Sequence, residues 1–408
     1  MRGWAALLLV ALAGIPAGAA AQTADDVAAI DAPRHVQERA EALAQDAAEY
    51  ARQFNISIED ATRRLKAQEK SVERTDKIAD KYRGRLAGIA IEHRPDYRIV
   101  VSLTGDAPVE EQHFTVDGLR VPIVFQTGAK ATRDQVIWAI TYHQNELRKL
   151  LPSPAMGLDP RSGELVVVID NSVAEKEGAQ KLEARLEAVT HVPVRVQVTD
   201  RVYKNLEIQG GSRLEGVNPD NGKRYYCTTA FAVTDGSRNA ITTAAHCLDT
   251  MTYLDPQRTT TPLEFVGQWG WGYQDVQLNV ANDTLEPLIY ADSAKTLARP
   301  ITGERSRTST RAGEFVCHRG ETTGYSCAVV ELTDFAPAGD LCGGACLPTW
   351  VAVRGPGCKG GDSGSPVFSG TVAFGILKGA SYRKDGSCDF YFYMSTDYLP
   401  PGWKLMTD

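Results

Sequence analysis

The 408-residue chain predicts an α+β segment followed by an all-β domain. Three observations carry this reading. In the first half, stripes of apolar residues at helical spacing are interleaved with short β-branched runs. In the second half, short apolar runs are separated by Gly, Pro, Asp and Asn turns, with no long helical stripe, which is the texture of a sandwich or barrel. All eight cysteines (Cys227, Cys247, Cys317, Cys327, Cys342, Cys346, Cys358 and Cys388) lie in that second half, and the contrast marks a boundary near residues 200–225.

Composition bounds the function. With 43% hydrophobic and 23% charged residues the chain reads as soluble and globular, long enough for two or three units. A net charge of −7 argues against a nucleic-acid or anionic-membrane surface. At the start, Arg2 precedes the apolar run Trp4–Ile15 and small residues ending Ala19-Ala20-Ala21, the pattern of a secretory signal over residues 1–21. The run is shorter than the roughly 20 apolar residues of a membrane span. A secreted protein, extracellular or periplasmic, is therefore expected, and an even cysteine count in that setting favours disulfides over zinc. No C-x-x-C pair is present, so neither a metal nor a cofactor is expected.

In order along the first half, residues 32–85 read as charged, alanine-rich helix. Ser57 with Asp60 after Ile56 resembles a capping box with a hydrophobic staple. Ala87–Ile91 and Tyr97–Leu103 read as strands. A helix from Thr132, with Gln135 at the box position, carries the stripe Val136, Ile137, Ile140, Leu147, Leu150 and Leu151. Strand Leu165–Ile169, helix Ser172–Val189 and strand Val192–Val198 follow. Trp138 and Tyr142 are expected in the core or a groove, and the five scattered histidines of this half show no ligand spacing. Gln209-Gly210-Gly211-Ser212 reads as an accessible linker, giving the boundaries 22–205 and 206–408.

In the second half, Cys227–Val233 and Ala240–Ala245 flank Asp235-Gly236, a hairpin signal. Cys227 and Cys247 are equidistant from its midpoint and are expected to bridge across the strands. Cys317 and Cys327 flank Arg319–Tyr325 in the same way, Cys358 and Cys388 tie a loop to the strands Val372–Leu377 and Phe390–Met394, and Cys342 and Cys346 remain for each other. Eight cysteines allow about 105 pairings, so this connectivity is one of many.

Gly361-Asp362-Ser363-Gly364-Ser365-Pro366 is the stretch with chemical promise. A serine hydroxyl needs a base within hydrogen-bond reach and donors for the oxyanion it creates. The N–H groups of Gly361 and Ser363 are placed to be those donors. Taken alone, the six residues are equally a surface turn. Thr243-Ala244-Ala245-His246-Cys247 upstream, with Asp275 between, supplies a base and an acid in the order His, Asp, Ser. Asp249, Asp255 and Asp283 compete with Asp275 for the place of that acid.

These two motifs resemble the signatures of chymotrypsin-fold serine proteases. Val316-Cys317-His318-Arg319-Gly320 through Thr322-Thr323-Gly324-Tyr325-Ser326-Cys327 resembles the bacterial branch of streptogrisins and alpha-lytic protease. The resemblance implies two six-stranded antiparallel β-barrels from about Cys227 to Tyr398. The first half is similar to the pro-regions of that branch, which implies a folding chaperone and inhibitor of the chain's own protease. By the resemblance, His246 is the general base, Asp275 orients it and Ser363 is the nucleophile, while Asp362 holds the oxyanion loop. Lys378, Gly379, Ala380 and Gly357 are expected to bind substrate. Two departures stand out. Ser365 replaces a second glycine, and Lys378 stands where the family has a serine supporting the triad carboxylate. Pro356 and Gly357 put no acid on the pocket floor, which points to an apolar side chain there unless Asp389 faces it. The expected partners are protein or peptide substrates and the pro-region. An inactive protease fold serving as a binding module is the competing reading, although such proteins lose the serine or histidine. An esterase would place Ser before His on a strand-to-helix turn.

Overall fold

The computed structural model describes residues 35–151, 154–199, 202–205, 212–256, 259–280, 285–339 and 341–408. The expected signal (1–21) and the linker glycines 210 and 211 lie outside them. Helices Arg39–Phe54 and Ile58–Lys81 pack as a pair. Asn55 turns into the left-handed region at φ 55° to end the first, and the Ser57 hydroxyl accepts from Asp60 N at 3.0 Å to start the second. Asp60 does not complete a box. The second helix lays Ala67 and Ile78 on the sheet Leu86–Glu92, Arg98–Thr104, Leu119–Ala129 and Gln112–Val116. The last two strands are a hairpin that the sequence reading missed. Asp117-Gly118 is its signal, both residues having positive φ as a tight hairpin turn demands.

The capping box Thr132–Gln135 is present and opens helix Arg133–Leu150. That helix buries Val136, Ile140 and Leu147 against a second sheet of Ala155–Asp159, Glu164–Asp170 and Val194–Thr199. Two expectations are corrected here. The single helix Ser172–Val189 is two, Asn171–Glu177 and Ala179–Thr190, because Gly178 sits at φ 85° between them. Trp138 and Tyr142 are exposed rather than packed, stacked on each other at 4.8 Å.

In the second half, Phe315–Gly320, Gly324–Ala336, Trp350–Arg354, Cys388–Ser395, Val372–Tyr382 and Pro366–Ser369 pair in turn, and the last returns to the first. The result is a closed six-strand barrel holding Val316, Val330, Val351, Val353, Val367 and Tyr391. Ahead of it, Arg213–Val217, Arg224–Thr228, Thr252–Leu254 and Thr260–Pro262 form a four-stranded sheet, and Ala232–Thr234, Asn239–Thr243, Glu264–Trp269 and Val276–Val280 form a five-stranded sheet with the later Lys404–Leu405, without a ladder joining the two among the described residues. The hairpin around Asp235-Gly236 is Ala232–Thr234 on Asn239–Thr243. All four disulfides pair as expected, but one for a different reason. Cys227 lies outside that hairpin, opposite Leu214 on Arg213–Val217, so its bond to Cys247 ties that sheet to the loop after Asn239–Thr243. Cys317 and Cys327 do face each other in one ladder.

The two halves share a sheet and a charged interface. Ala155–Asp159 pairs with Gly324–Ala336, extending the barrel wall by the three strands of the first half. Arg299, fully buried, gives its guanidinium to Asp46 at 2.9 Å, to Gln37 and Gln45, and to the carbonyls of Ala42 and Gly370. Asp46, also buried, accepts in addition from Tyr325 and from Gly370 N, both at 2.6 Å. Gln68 makes two bonds with the Phe315 backbone, and Arg133 is bidentate on buried Asp334.

His93 also crosses the interface, bonding Tyr50 OH and the Gly313 carbonyl, each at 2.6 Å. The carbonyl requires Nε2–H, leaving Nδ1 to accept, which is the neutral ring. Burial pulls this imidazole down to about 4, against the Gly313 bond. A base depressed in this way contributes stability that is complete above the unfolded value of about 6.5 and is lost as pH falls through about 4. The urea midpoint of an uncleavable full chain is expected to drop across that window, and the drop to shrink in His93→Gln. An unchanged pH dependence in the variant would refute the assignment.

Candidate active site

Strand Asn239–Thr243 pairs antiparallel with Val276–Val280, Thr243 opposite Gln277. The residues just past the end of one strand and just before the start of the other are thereby neighbours, and these are His246 and Asp275. His246 Nδ1 lies 2.8 Å from Asp275 Oδ2, and the His246 N–H donates to Oδ1 at 3.2 Å. The carboxylate thus fixes both the backbone and the ring of the histidine. On the ring's other side, Nε2 lies 2.8 Å from Ser363 Oγ. The barrel supplies that serine from the turn before Pro366–Ser369. Asp249 and Asp255 lie outside this chain of bonds, and Asp283 falls outside the described residues.

The serine turn is pinned from three sides. The Ser363 carbonyl accepts from Thr228 N at 2.7 Å, Gly364 N donates to Leu377 O at 2.8 Å, and Thr228 Oγ1 reaches the Gly361 carbonyl. Gly364 has φ 85°, and a Cβ there would meet Thr228 O at 2.2 Å, so only glycine fits. Asp362 is buried beneath the turn and accepts from Thr322 N, Thr323 N, Thr323 Oγ1 and Lys359 N. Burial pushes its carboxyl up to about 6 against the pull of these four donors. The threonines that hold it belong to the Thr322–Cys327 motif, and the sequence assigns them no chemical role. Their place beside two glycines in Gly320–Gly324 was the available signal.

Burial acts on Asp275 as well and would raise it. The charges of His246 and Lys378 and their hydrogen bonds outweigh burial and hold the carboxyl below its usual value. Lys378, expected to bind substrate, is buried with its Nζ 3.4 Å from Asp275 Oδ2. Gly379 and Ala380 follow on the same strand. Their backbone, with Ser381 and Tyr382, pairs antiparallel with Val202–Asn205, the last described residues before the linker. Gly357 sits against Ser326 and Thr323. Asp389 is buried and ion-paired with Arg383 at 2.9 Å, which commits its charge. Sequence reading gave His318 no role. It is buried, bonds Thr323 Oγ1 at 3.1 Å, meets Tyr391 edge-on, and is pulled down to about 3 by burial and by Arg319.

The arrangement can transfer a proton from a hydroxyl to an imidazole whose resulting charge is balanced by a buried carboxylate. Among the described residues no helix is long and apolar enough to cross a membrane, and all eight cysteines are in disulfides.

No family model matches the chain. It is 28% identical over 253 residues to Serine protease 1 of Streptomyces fradiae, covering 58% of this chain and 62% of that protein. It is 28% identical over 184 residues to Streptogrisin-C of Streptomyces griseus, covering 42% of this chain and 37% of that protein. The matched regions thus span less than two thirds of either relative. Similar solved structures include Thermobifida fusca Protease A, at 22% identity and TM-score 0.39 over 49% of this chain and 99% of that one. An alpha-lytic protease homolog has 19% identity and TM-score 0.34 over 46% and 93%. The likeness to streptogrisins and their kin read from the motifs is matched by these relatives.

Proposed function

We propose, from this likeness to bacterial chymotrypsin-fold serine proteases, that the chain is the proenzyme of a secreted serine endopeptidase. The observation that carries the reading is the unbroken line Asp275–His246–Ser363, with 2.8 Å at each step. Ser363 Oγ attacks the scissile carbonyl carbon while its proton passes to His246 Nε2. The C–O bond forms as the carbonyl π pair moves onto oxygen, and that oxyanion meets the N–H groups of Gly361 and Ser363. Collapse of the adduct expels the amine, which takes the proton from His246 and leaves an acyl-serine. Water repeats the sequence in reverse roles, giving the acid product and free Ser363. Asp275 keeps the ring in one tautomer and stabilises its charged form.

Residues 22–205 are then a pro-region and 206–408 the protease, with 1–21 a signal. The buried Asp46–Arg299 pair and the shared sheet support tight docking. Val202–Asn205, lying antiparallel on Gly379–Tyr382, supports occupation of the substrate strand by the chain's own segment. The maturing cut is proposed just beyond that strand, between residues 206 and 211.

Intact mass of the secreted protein, with and without a fluorophosphonate probe, tests this. A fragment running from that window to Asp408 that gains one probe mass is expected. A wild-type chain that stays whole and unlabelled, even after mild proteolysis of the linker, would overturn the enzyme reading.

A further inference from the structure

Lys378 is the group the catalytic line does not use and yet cannot avoid. Its ammonium is 3.4 Å from Asp275 Oδ2, the same oxygen that takes the His246 Nδ1 bond at 2.8 Å. Both Lys378 and Asp275 are 1% exposed. On another side the ammonium faces the ring of Trp350, 5.3 Å from its centroid, whose π cloud favours a cation. A lysine in so dry a site holds its charge only against a fixed anion, and that anion is the carboxylate on which the histidine depends.

Resting on the serine-protease reading, we infer that Lys378 is a positioning residue that shares the Asp275 carboxylate with His246 and keeps the enzyme active in more acid solution. The sign follows from charge. Protonated His246 is held by the negative charge of Asp275, and a second cation on the same oxygen weakens that hold. Removing that cation leaves Asp275 Oδ2 to the protonated ring alone, the form unable to accept the Ser363 proton. Lys378 also keeps Asp275 ionised, so the proton taken from Ser363 stays on the ring for delivery to the leaving amine. Facing Asp275 are His246 from the loop after Asn239–Thr243, Lys378 from Val372–Tyr382 and Met394 from Cys388–Ser395, whose sulfur takes the Asp275 N–H, while Trp350 from Trp350–Arg354 faces Lys378. The charges that bear on the carboxylate are the first two, while Trp350 and Met394 are neutral.

The test compares kcat/KM of mature wild type, Lys378→Met, Lys378→Ser and Lys378→Arg on a chromogenic peptide, from about pH 4 to about pH 10. In both neutral variants the acid limb is expected to move up by about one unit, a tenfold loss on that limb. The alkaline plateau is expected to stay within about tenfold of wild type, and Lys378→Arg to keep the wild-type limb. Neutral variants that lose activity equally at every pH would make Lys378 a packing residue and overturn the inference. If neither neutral variant accumulates, Lys378→Arg decides. Activity with the wild-type limb supports the charge, while a displaced limb or a folded but inactive protein overturns it. Fluorophosphonate labelling keeps the two proposals apart. Wild type that never labels sinks the protease reading itself, whereas labelled wild type with an unmoved limb in the variants sinks only the role of Lys378.

Discussion

Ser363→Ala is expected to lower kcat/KM by roughly 10⁶-fold and to leave the secreted chain uncut. The magnitude follows from the triad acting as one unit, so that losing the nucleophile costs nearly as much as losing all three members. The substitution removes one hydroxyl whose partner is His246, and the turn around it is pinned through backbone atoms of Ser363 and Gly364. Folding should therefore survive, and near-wild-type thermal unfolding is part of the expectation. Intact mass read beside the peptide assay checks both. A variant processed as fast as wild type, in a host free of other proteases, would place the maturing activity elsewhere.

Asp46→Ala is expected to cost about 3–5 kcal/mol, among the largest effects on stability available in this chain. Two buried charges in one network tolerate joint replacement far better than the loss of one partner. Arg299 would keep its bonds to Gln37, Gln45 and two carbonyls but no counter-charge in a site without water access. Tyr325 and Gly370 N would lose their acceptor at the same moment. Urea unfolding of the Ser363→Ala chain, with and without the second change, measures the cost. Breaking the exposed pair Lys77–Glu73 serves as the control, with an expected effect below about 1 kcal/mol. Equal effects at the two sites would remove Asp46 from the interface account.

The sequence was most legible where structure is local. The N-cap at Ser57 and the box at Thr132 are hydrogen bonds three residues apart, so spacing alone reveals them. Symmetric flanking pairs Cys317 with Cys327 across one ladder, whereas Cys227, opposite Leu214 in another sheet, meets Cys247 outside any ladder. His246, Asp275 and Ser363 stand out in compact motifs, and the structure brings their side chains together at 2.8 Å per step although they are far apart in the chain. What stayed hidden depends on partners distant in sequence. Asp46 reads as one more charge on an alanine-rich helix until Arg299 meets it, 253 residues away. Ala155–Asp159 is short and holds a glycine, and becomes a strand between Glu164–Asp170 on one side and Gly324–Ala336 on the other. Lys378 read as a misfit until Asp275 was seen beside it.

The shared sheet has a consequence for life after the halves part. While joined, residues Thr333–Ala336 of the long hairpin have their outward N–H and C=O groups matched by Met156–Leu158. Once that partner is gone, those groups form a bare margin, and bare margins recruit strands from other molecules. On the proposed maturation, release of the first half would therefore create an adhesive edge as well as a free catalyst. Newly matured protein at high concentration should pass through a window of self-association, and a bound first half would act as a solubility guard even after its covalent link is cut.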